Sequence, residues 1–182
     1  LGTYGTARVQ SAVFIAPIPP FLLKTRDNPE GVDGAAFDDI RRAIVNDRPA
    51  YLTRFFEDFY NLDVWGGSRI SEEVVRTSWD AGAAASPIGT LESVTAWLTD
   101  FRDDLPRIDV PVLIVQGDAD RVLPIDATGK RLHKILDRSR FVVVKDAPHG
   151  LLWTHADEVN RELLGFLEQR IPREVMRTAA PV

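Results

Sequence analysis

The chain has 182 residues, 45% of them hydrophobic, enough for one domain with a buried core. Its net charge of −5 argues against nonspecific nucleic-acid binding, which needs clustered Lys and Arg. The absence of cysteine excludes disulfides, thiolate catalysis and Cys-based zinc sites. The basic stretches "IRRAIVNDR" and "KRLHK" alternate with apolar residues and read as solvated helix faces. The apolar runs fall far short of the ~20 residues a membrane span needs, so no membrane partner is expected. The first ten residues, "LGTYGTARVQ", have neither a basic start nor an apolar core, which gives the expectation of a cytoplasmic protein.

"LGTYG" reads as the end of a helix, with Gly2 or Gly5 suited to the left-handed residue that follows one. With Leu1 in first place, this gives the expectation of a chain cut from a longer one. Ala12 to Ala16 is a short apolar run closed by Pro17, Pro19 and Pro20, the pattern of a buried parallel strand. Residues 22–34 are polar and rich in Gly, Pro and Asp, hence loop.

A helical region follows. Phe37, Ile40, Ile44 and Val45 mark one helix, and Leu52, Phe55, Phe56 and Phe59 a second. Ser71 is a candidate N-cap for a third, running through Val74, Val75 and Trp79. Thr90 is a candidate cap for a fourth, with Val94, Trp97 and Leu98 on one face. The aromatic stripes at this spacing read as helix packing rather than a cofactor box.

From Ile108 the pattern changes. "VPVLIVQG" is a second buried strand, and Pro124 suits the first turn of a helix that runs to about Leu136. "RFVVVKD" is a third strand. Thr154, with Asp157 three residues on, has the spacing of a capping box opening a last helix, whose apolar face is Val159, Leu163, Phe166 and Leu167. Strands alternating with helices predict an α/β fold with a parallel sheet and right-handed crossovers.

Asp118, Asp120 and His149 all fall just past strand ends, where such sheets carry their chemistry. A carboxylate on one imidazole nitrogen fixes the tautomer and frees the other nitrogen to take a proton from a nucleophile. Pro148 and Gly150 would pin and turn the loop that carries His149. Position alone leaves both Asp118 and Asp120 open, with Asp120 nearer the apex of its turn. His133 and His155 read as surface residues, and no HxxxH or HxH spacing suggests a metal.

"TDFRDDLPRIDVPVLIVQGDADRVLPI", "APHGLLWTHADEVN", "FFEDFYNLD" and "PPFLLKT" resemble the cofactor-free bacterial haloperoxidases and the related arylesterases and perhydrolases of the α/β-hydrolase fold. The resemblance runs from about Leu1 to Leu167 and implies Asp120 as the triad acid and His149 as the triad base. It implies that the three strands are the last three of that fold. Residues 1–34 and 103–171 would be a partial α/β-hydrolase core, 35–102 a helical cap roofing the site, and 172–182 a flexible tail. It further implies hydrolysis of small esters, peracid formation from short carboxylic acids and hydrogen peroxide, and oxidation of halide by the peracid. No cofactor or metal is implied, and a homo-oligomer, trimeric or larger, is. Where the family commonly has His-Gly after the second of these strands, this chain has Gln116-Gly117.

The nucleophile of that fold sits in G-x-S-x-G, on a sharp turn between strand and helix. The 182 residues contain no such motif. "GGSRI", Gly66 to Ile70, lacks the last Gly, and Ser11, Ser71, Ser78, Ser86, Ser93 and Ser139 lack the context. By the resemblance, Leu1 falls roughly three helical turns beyond the nucleophile. The expectation is a serine hydrolase portion without its nucleophile or oxyanion hole, inactive alone. The alternatives are a stand-alone remnant or binding module, or a half-enzyme completed by another chain.

Overall fold

The structure, a computed structural model, describes residues 1–168. The expected tail at 172–182 and the end of the core segment at 169–171 lie outside the described residues. Three parallel strands form one sheet in the order β1-β2-β3: β1 at Ala12–Ile15, β2 at Val112–Gly117 and β3 at Ser139–Val144. The register pairs Ala12 with Val112 and Ile15 with Val115, then Val112 with Ser139 and Gly117 with Val144.

All six residues of β2 are buried, because both faces of the sheet are covered. Leu113 and Val115 pack with Leu151, Val159 and Phe166 on one face; Val112 and Ile114 pack with Leu105, Leu132 and Leu136 on the other. The two-residue period of a strand sends alternate side chains into these two clusters, which explains the unbroken apolar run. The strand begins two residues later than the sequence suggests. A 3-10 turn at Leu105–Arg107 precedes it, and Pro111 has no N–H for a ladder.

β1 departs from expectation. Its four residues are half-buried, not buried, because among the described residues it pairs on one side only. It also ends at Ile15, since Ala16 turns with φ of 43°. At the start of the chain Gly5, at φ 77°, donates its N–H to the Leu1 carbonyl at 2.8 Å, so Gly5 rather than Gly2 takes the left-handed position.

Between β1 and β2 lie helices α1 (Gly34–Tyr60), α2 (Leu62–Trp65), α3 (Glu72–Ala84) and α4 (Pro87–Trp97). The two helices expected before Tyr60 are both present and run together as α1 across a break at Asp47, whose φ of −157° and ψ of 86° are not helical. The Asp47 carboxylate caps the second half by accepting from Ala50 N at 3.0 Å, and Pro49 sits where a helix start tolerates it. Phe37, Ile44, Leu52 and Tyr60 face inward, while Val45 is exposed. Ser71 caps α3 as expected. Helix α4 starts a turn before the expected Thr90. Ser86 caps it through Gly89 N, Pro87 takes the first position, and the Thr90 hydroxyl instead donates to the Ser86 carbonyl.

After β2 comes α5, at Gly129–Ile135 rather than from Pro124. The five residues before it are held as a turn by the Gln116 amide, which accepts from Gly129 N at 3.1 Å and donates to the Leu123 carbonyl at 2.9 Å. After β3 the expected last helix is two, α6 (Leu151–Thr154) and α7 (Ala156–Glu168), broken at His155. Thr154 closes α6 instead of capping α7: its hydroxyl pairs with His155 Nδ1 at 2.9 Å. Val159 and Phe166 of α7 reach the core, but Leu167 is exposed. Among the described residues, no helix is long and apolar enough to cross a membrane.

Candidate active site

Two loops leave the carboxyl ends of β2 and β3 and clasp each other. Asp118 accepts from Asp146 N at 2.6 Å, and Ala119 N donates to the Ala147 carbonyl at 3.2 Å. Gly117 permits this approach: a Cβ there would lie 2.0 Å from the Ala147 oxygen. Asp118 is exposed and ties the β3 turn, which Asp146 enters at φ 58°.

Asp120 is different. Its side chain is wholly buried, and its two oxygens have separate partners. Oδ1 accepts from Val122 N at 2.9 Å and Leu123 N at 2.8 Å, folding the turn around itself. Oδ2 meets His149 Nδ1 at 2.9 Å, 29 residues away in sequence. A carboxylate only accepts, so Nδ1 carries the hydrogen in this pair. His149 Nε2 is then left with its lone pair outward, and it meets no partner among the described residues.

The imidazole is held from the other side by α1. Gly150 N donates to the Phe59 carbonyl at 2.7 Å, and the Phe59 ring lies edge-on to His149 with centroids 4.9 Å apart. Asn61 donates to the Ala119 carbonyl at 2.9 Å, and Trp65 Nε1 to that of Asp146 at 3.2 Å. Arg121 pairs with Asp63 through both nitrogens, at 2.7 and 3.0 Å, and holds that exposed carboxyl below its usual range. The helical segment is thereby fastened to the two loops that carry Asp120 and His149.

Between them is a cavity of about 580 Å³ with His149 in its wall. Leu22, Tyr51, Phe55, Trp97 and Leu123 supply much of its apolar lining. Such a concave apolar space beside one polar, hydrogen-bonded pair is the usual form of a small-molecule site. Among the described residues no group of three or more His, Asp or Glu is placed to hold a metal ion.

Of the sequence candidates, Asp120 and His149 come together, whereas Asp118 stands apart with a turn to hold. His133 is exposed as expected, its Nδ1 2.7 Å from the Ser139 hydroxyl. His155, expected at the surface, is only 3% exposed. Trp65 packs edge-on against it at 5.2 Å, and Arg69 lies over the Trp65 indole and reaches the Thr154 carbonyl. Burial, with Arg69 second, pushes the His155 imidazole below its ordinary value.

Sequence reasoning missed the part played by Gln116. It is fully buried and also donates to Thr128 Oγ1 at 3.0 Å, with Asp120 Oδ2 a more distant 3.4 Å. A polar residue ending a strand otherwise apolar, "VLIVQ", was the available signal. The contact of Phe59 with His149 joins residues 90 apart in the chain and left no local trace.

The sequence profile of the alpha/beta hydrolase family matches residues 1–162. A protein of Synechocystis sp. provisionally named a non-heme chloroperoxidase is 58% identical over 92% of this chain and 61% of its own length. The bifunctional esterase/perhydrolase of Acinetobacter calcoaceticus is 31% identical over 90% of this chain and 60% of its own. The crystal structure of a bromoperoxidase from Bacillus anthracis superimposes with a TM-score of 0.87 at 40% identity, covering 92% of this chain and 61% of that one. The chain thus spans about three-fifths of the length of the relatives it matches. A three-stranded parallel sheet flanked by helices, a family profile over most of the chain and these likenesses agree: the chain belongs to the alpha/beta hydrolase family, on its non-haem haloperoxidase branch.

Proposed function

We propose that the chain carries the acid and base of a serine hydrolase of the haloperoxidase type. The observation that supports this reading is the 2.9 Å contact between His149 Nδ1 and Asp120 Oδ2, with Nε2 left without a partner beside an apolar cavity. Asp120 holds the imidazole in one tautomer and stabilises the imidazolium. His149 Nε2 takes the proton of an attacking serine hydroxyl and returns it to the leaving alcohol. Water on the acyl-enzyme gives a carboxylic acid. Hydrogen peroxide in its place gives a peracid, which oxidises bromide or chloride. The substrates in this reading are small esters and short carboxylic acids, and residues 35–102 form the roof over them. No cofactor takes part, and the assembly is a homo-oligomer.

The serine and the oxyanion hole lie outside the 182 residues, which contain no G-x-S-x-G. A His-Asp pair has no catalytic use without a nucleophile, so these residues alone do not turn over ester. The test compares the chain alone with the chain joined to the nucleophile-bearing segment of a relative, in p-nitrophenyl acetate hydrolysis and peracetic acid formation. The chain alone is expected to be silent. The joined protein is expected to be active and to lose at least about a thousandfold in kcat with His149→Ala. Turnover by the chain alone that His149→Ala abolishes would overturn the half-site reading. A joined enzyme indifferent to His149→Ala would overturn the role of the base.

A further inference from the structure

Asn61 stands at the corner where α1 ends and α2 begins, with φ 49° and ψ 58°, and is only 2% exposed. Asn enters that left-handed conformation more readily than most residues. An Asn that opens a helix ordinarily turns its side-chain oxygen onto a backbone N–H of the first turn. Asn61 makes no such bond to α2. Its amide crosses instead to the loop after β2, where Nδ2 donates to the Ala119 carbonyl at 2.9 Å. Asn61 Oδ1 is left behind: among the described residues it is the one buried side-chain nitrogen or oxygen without a hydrogen-bond partner. Turning the amide over would set this oxygen against the Ala119 oxygen, so the donor fixes the orientation. An unmet buried acceptor costs stability, and native proteins carry few of them.

The place of that one bond supplies the reason. Ala119 immediately precedes Asp120. Two residues before Asn61, the Phe59 carbonyl accepts from Gly150 N at 2.7 Å, and Gly150 immediately follows His149. One helix end therefore grips the neighbour of the carboxylate and the neighbour of the imidazole, and the 2.9 Å contact between Asp120 and His149 lies between the two grips. The grip of residue 59 is made by backbone, which any residue provides. The grip of residue 61 needs a side-chain donor on a left-handed corner. An ionised Asp tolerates the corner but has no donor, and Gly has no side chain.

We propose that Asn61 is a positioning residue: by holding the Ala119 carbonyl it keeps the Asp120 carboxylate against His149 Nδ1, and so keeps the ring in the tautomer that leaves Nε2 free. The inference rests on reading Asp120 and His149 as acid and base. Asn61 acts through Ala119 alone, whose N–H carries the same setting to the other loop through the Ala147 carbonyl at 3.2 Å. The unpaired oxygen is the cost of placing a donor there, since strain and unmet groups persist where the surrounding structure puts them to use.

The experiment uses the 182-residue chain, whose three histidines let two-bond proton–nitrogen NMR spectra at alkaline pH give the tautomer of each ring separately. The natural chain is expected to show His149 with its hydrogen on Nδ1. The ratio of that tautomer to the Nε2–H form is expected to fall about tenfold in Asn61→Gly, which suits the corner and removes the amide. Asn61→Asp, which keeps the shape and loses the donor, is expected to do the same. His155, whose Nδ1 pairs with the Thr154 hydroxyl at 2.9 Å, is the internal reference and is expected to keep its tautomer. An unaltered His149 ring in a folded variant would overturn the proposal, as would an equal change at His155, which marks general loosening. Failure of both variants to fold, which marks a structural role, or a natural chain without the Nδ1–H form at His149 would overturn it too. Because the readout is the ring itself, it is separate from the His149→Ala test. A tautomer lost with Asn61→Gly, beside turnover that ignores His149→Ala, would sink the hydrolase reading and leave the hold of Asn61 on the ring standing.

Discussion

Replacing Gln116 with Leu isolates the hydrogen-bond contribution of one buried amide. Leu is apolar and of broadly similar size, though it branches one carbon nearer the backbone, so the amide is removed without opening a large cavity. The change strips the Gln116 amide from Leu123 O and Gly129 N, both inside the protein. Thr128 Oγ1 loses the amide too but keeps its bond to the Pro124 carbonyl at 3.0 Å, so it is not orphaned. Two buried backbone groups without partners cost about 1–3 kcal/mol each, and the greater apolarity of Leu offsets part of that. The expected net loss is roughly 2–4 kcal/mol, a large share of the ~5–15 kcal/mol that holds a typical domain together. Urea unfolding followed by circular dichroism, extrapolated to water, measures it directly. A loss below about 0.5 kcal/mol for Gln116→Leu would refute the reasoning and mean that the turn over 118–128 holds its shape without the amide.

Gly117→Ala places a methyl where the Ala147 carbonyl lies, and two strand-end backbones have no soft side chain to yield. It is expected to destabilise by at least about 2–3 kcal/mol in the same urea assay and to weaken the Asp120–His149 contact, seen as loss of the downfield Nδ1 proton resonance. His155 makes stability depend on pH. Its folded value lies below 6.5, so the unfolded chain takes up the proton first as the solution is acidified. The contribution is complete above about pH 6.5 and is lost as pH falls from there through the folded value. The groups acting on it are Arg69, which favours the neutral ring, and Glu158, Asp146 and Asp118, which oppose it. His155→Gln is expected to flatten the difference in urea midpoint between about pH 7.5 and 5.5, and an unchanged difference would contradict the assignment.

The three strands were legible because each is a short apolar or β-branched run with punctuation at both ends, and parallel pairing follows from the helices between them. That an acid after β2 and His149 after β3 would share one edge of the sheet was legible for the same reason, but position left Asp118 and Asp120 both open and only the resemblance singled out Asp120. Helix starts were less so. Thr90 and Ser86 offer the same hydroxyl, and only the Pro beside Ser86 separates them in the sequence. Thr154 has the spacing of a capping box, yet the Nδ1 of the next residue takes its hydroxyl. The burial of His155 could not be read locally, because Trp65 and Arg69, which cover it, lie more than eighty residues earlier.

The peptide of Gly150 hangs from the Phe59 carbonyl, and the ring of Phe59 shoulders the imidazole. A graft that exchanges α1 for a relative's, meant only to change what fits inside, would also re-aim the His149 ring. On the proposed reading of His149 as a base, size preference and turnover would be inherited as one trait. A chimera keeps the His149 ring in place only if the donor helix brings a residue that fills the place of Phe59 against this glycine.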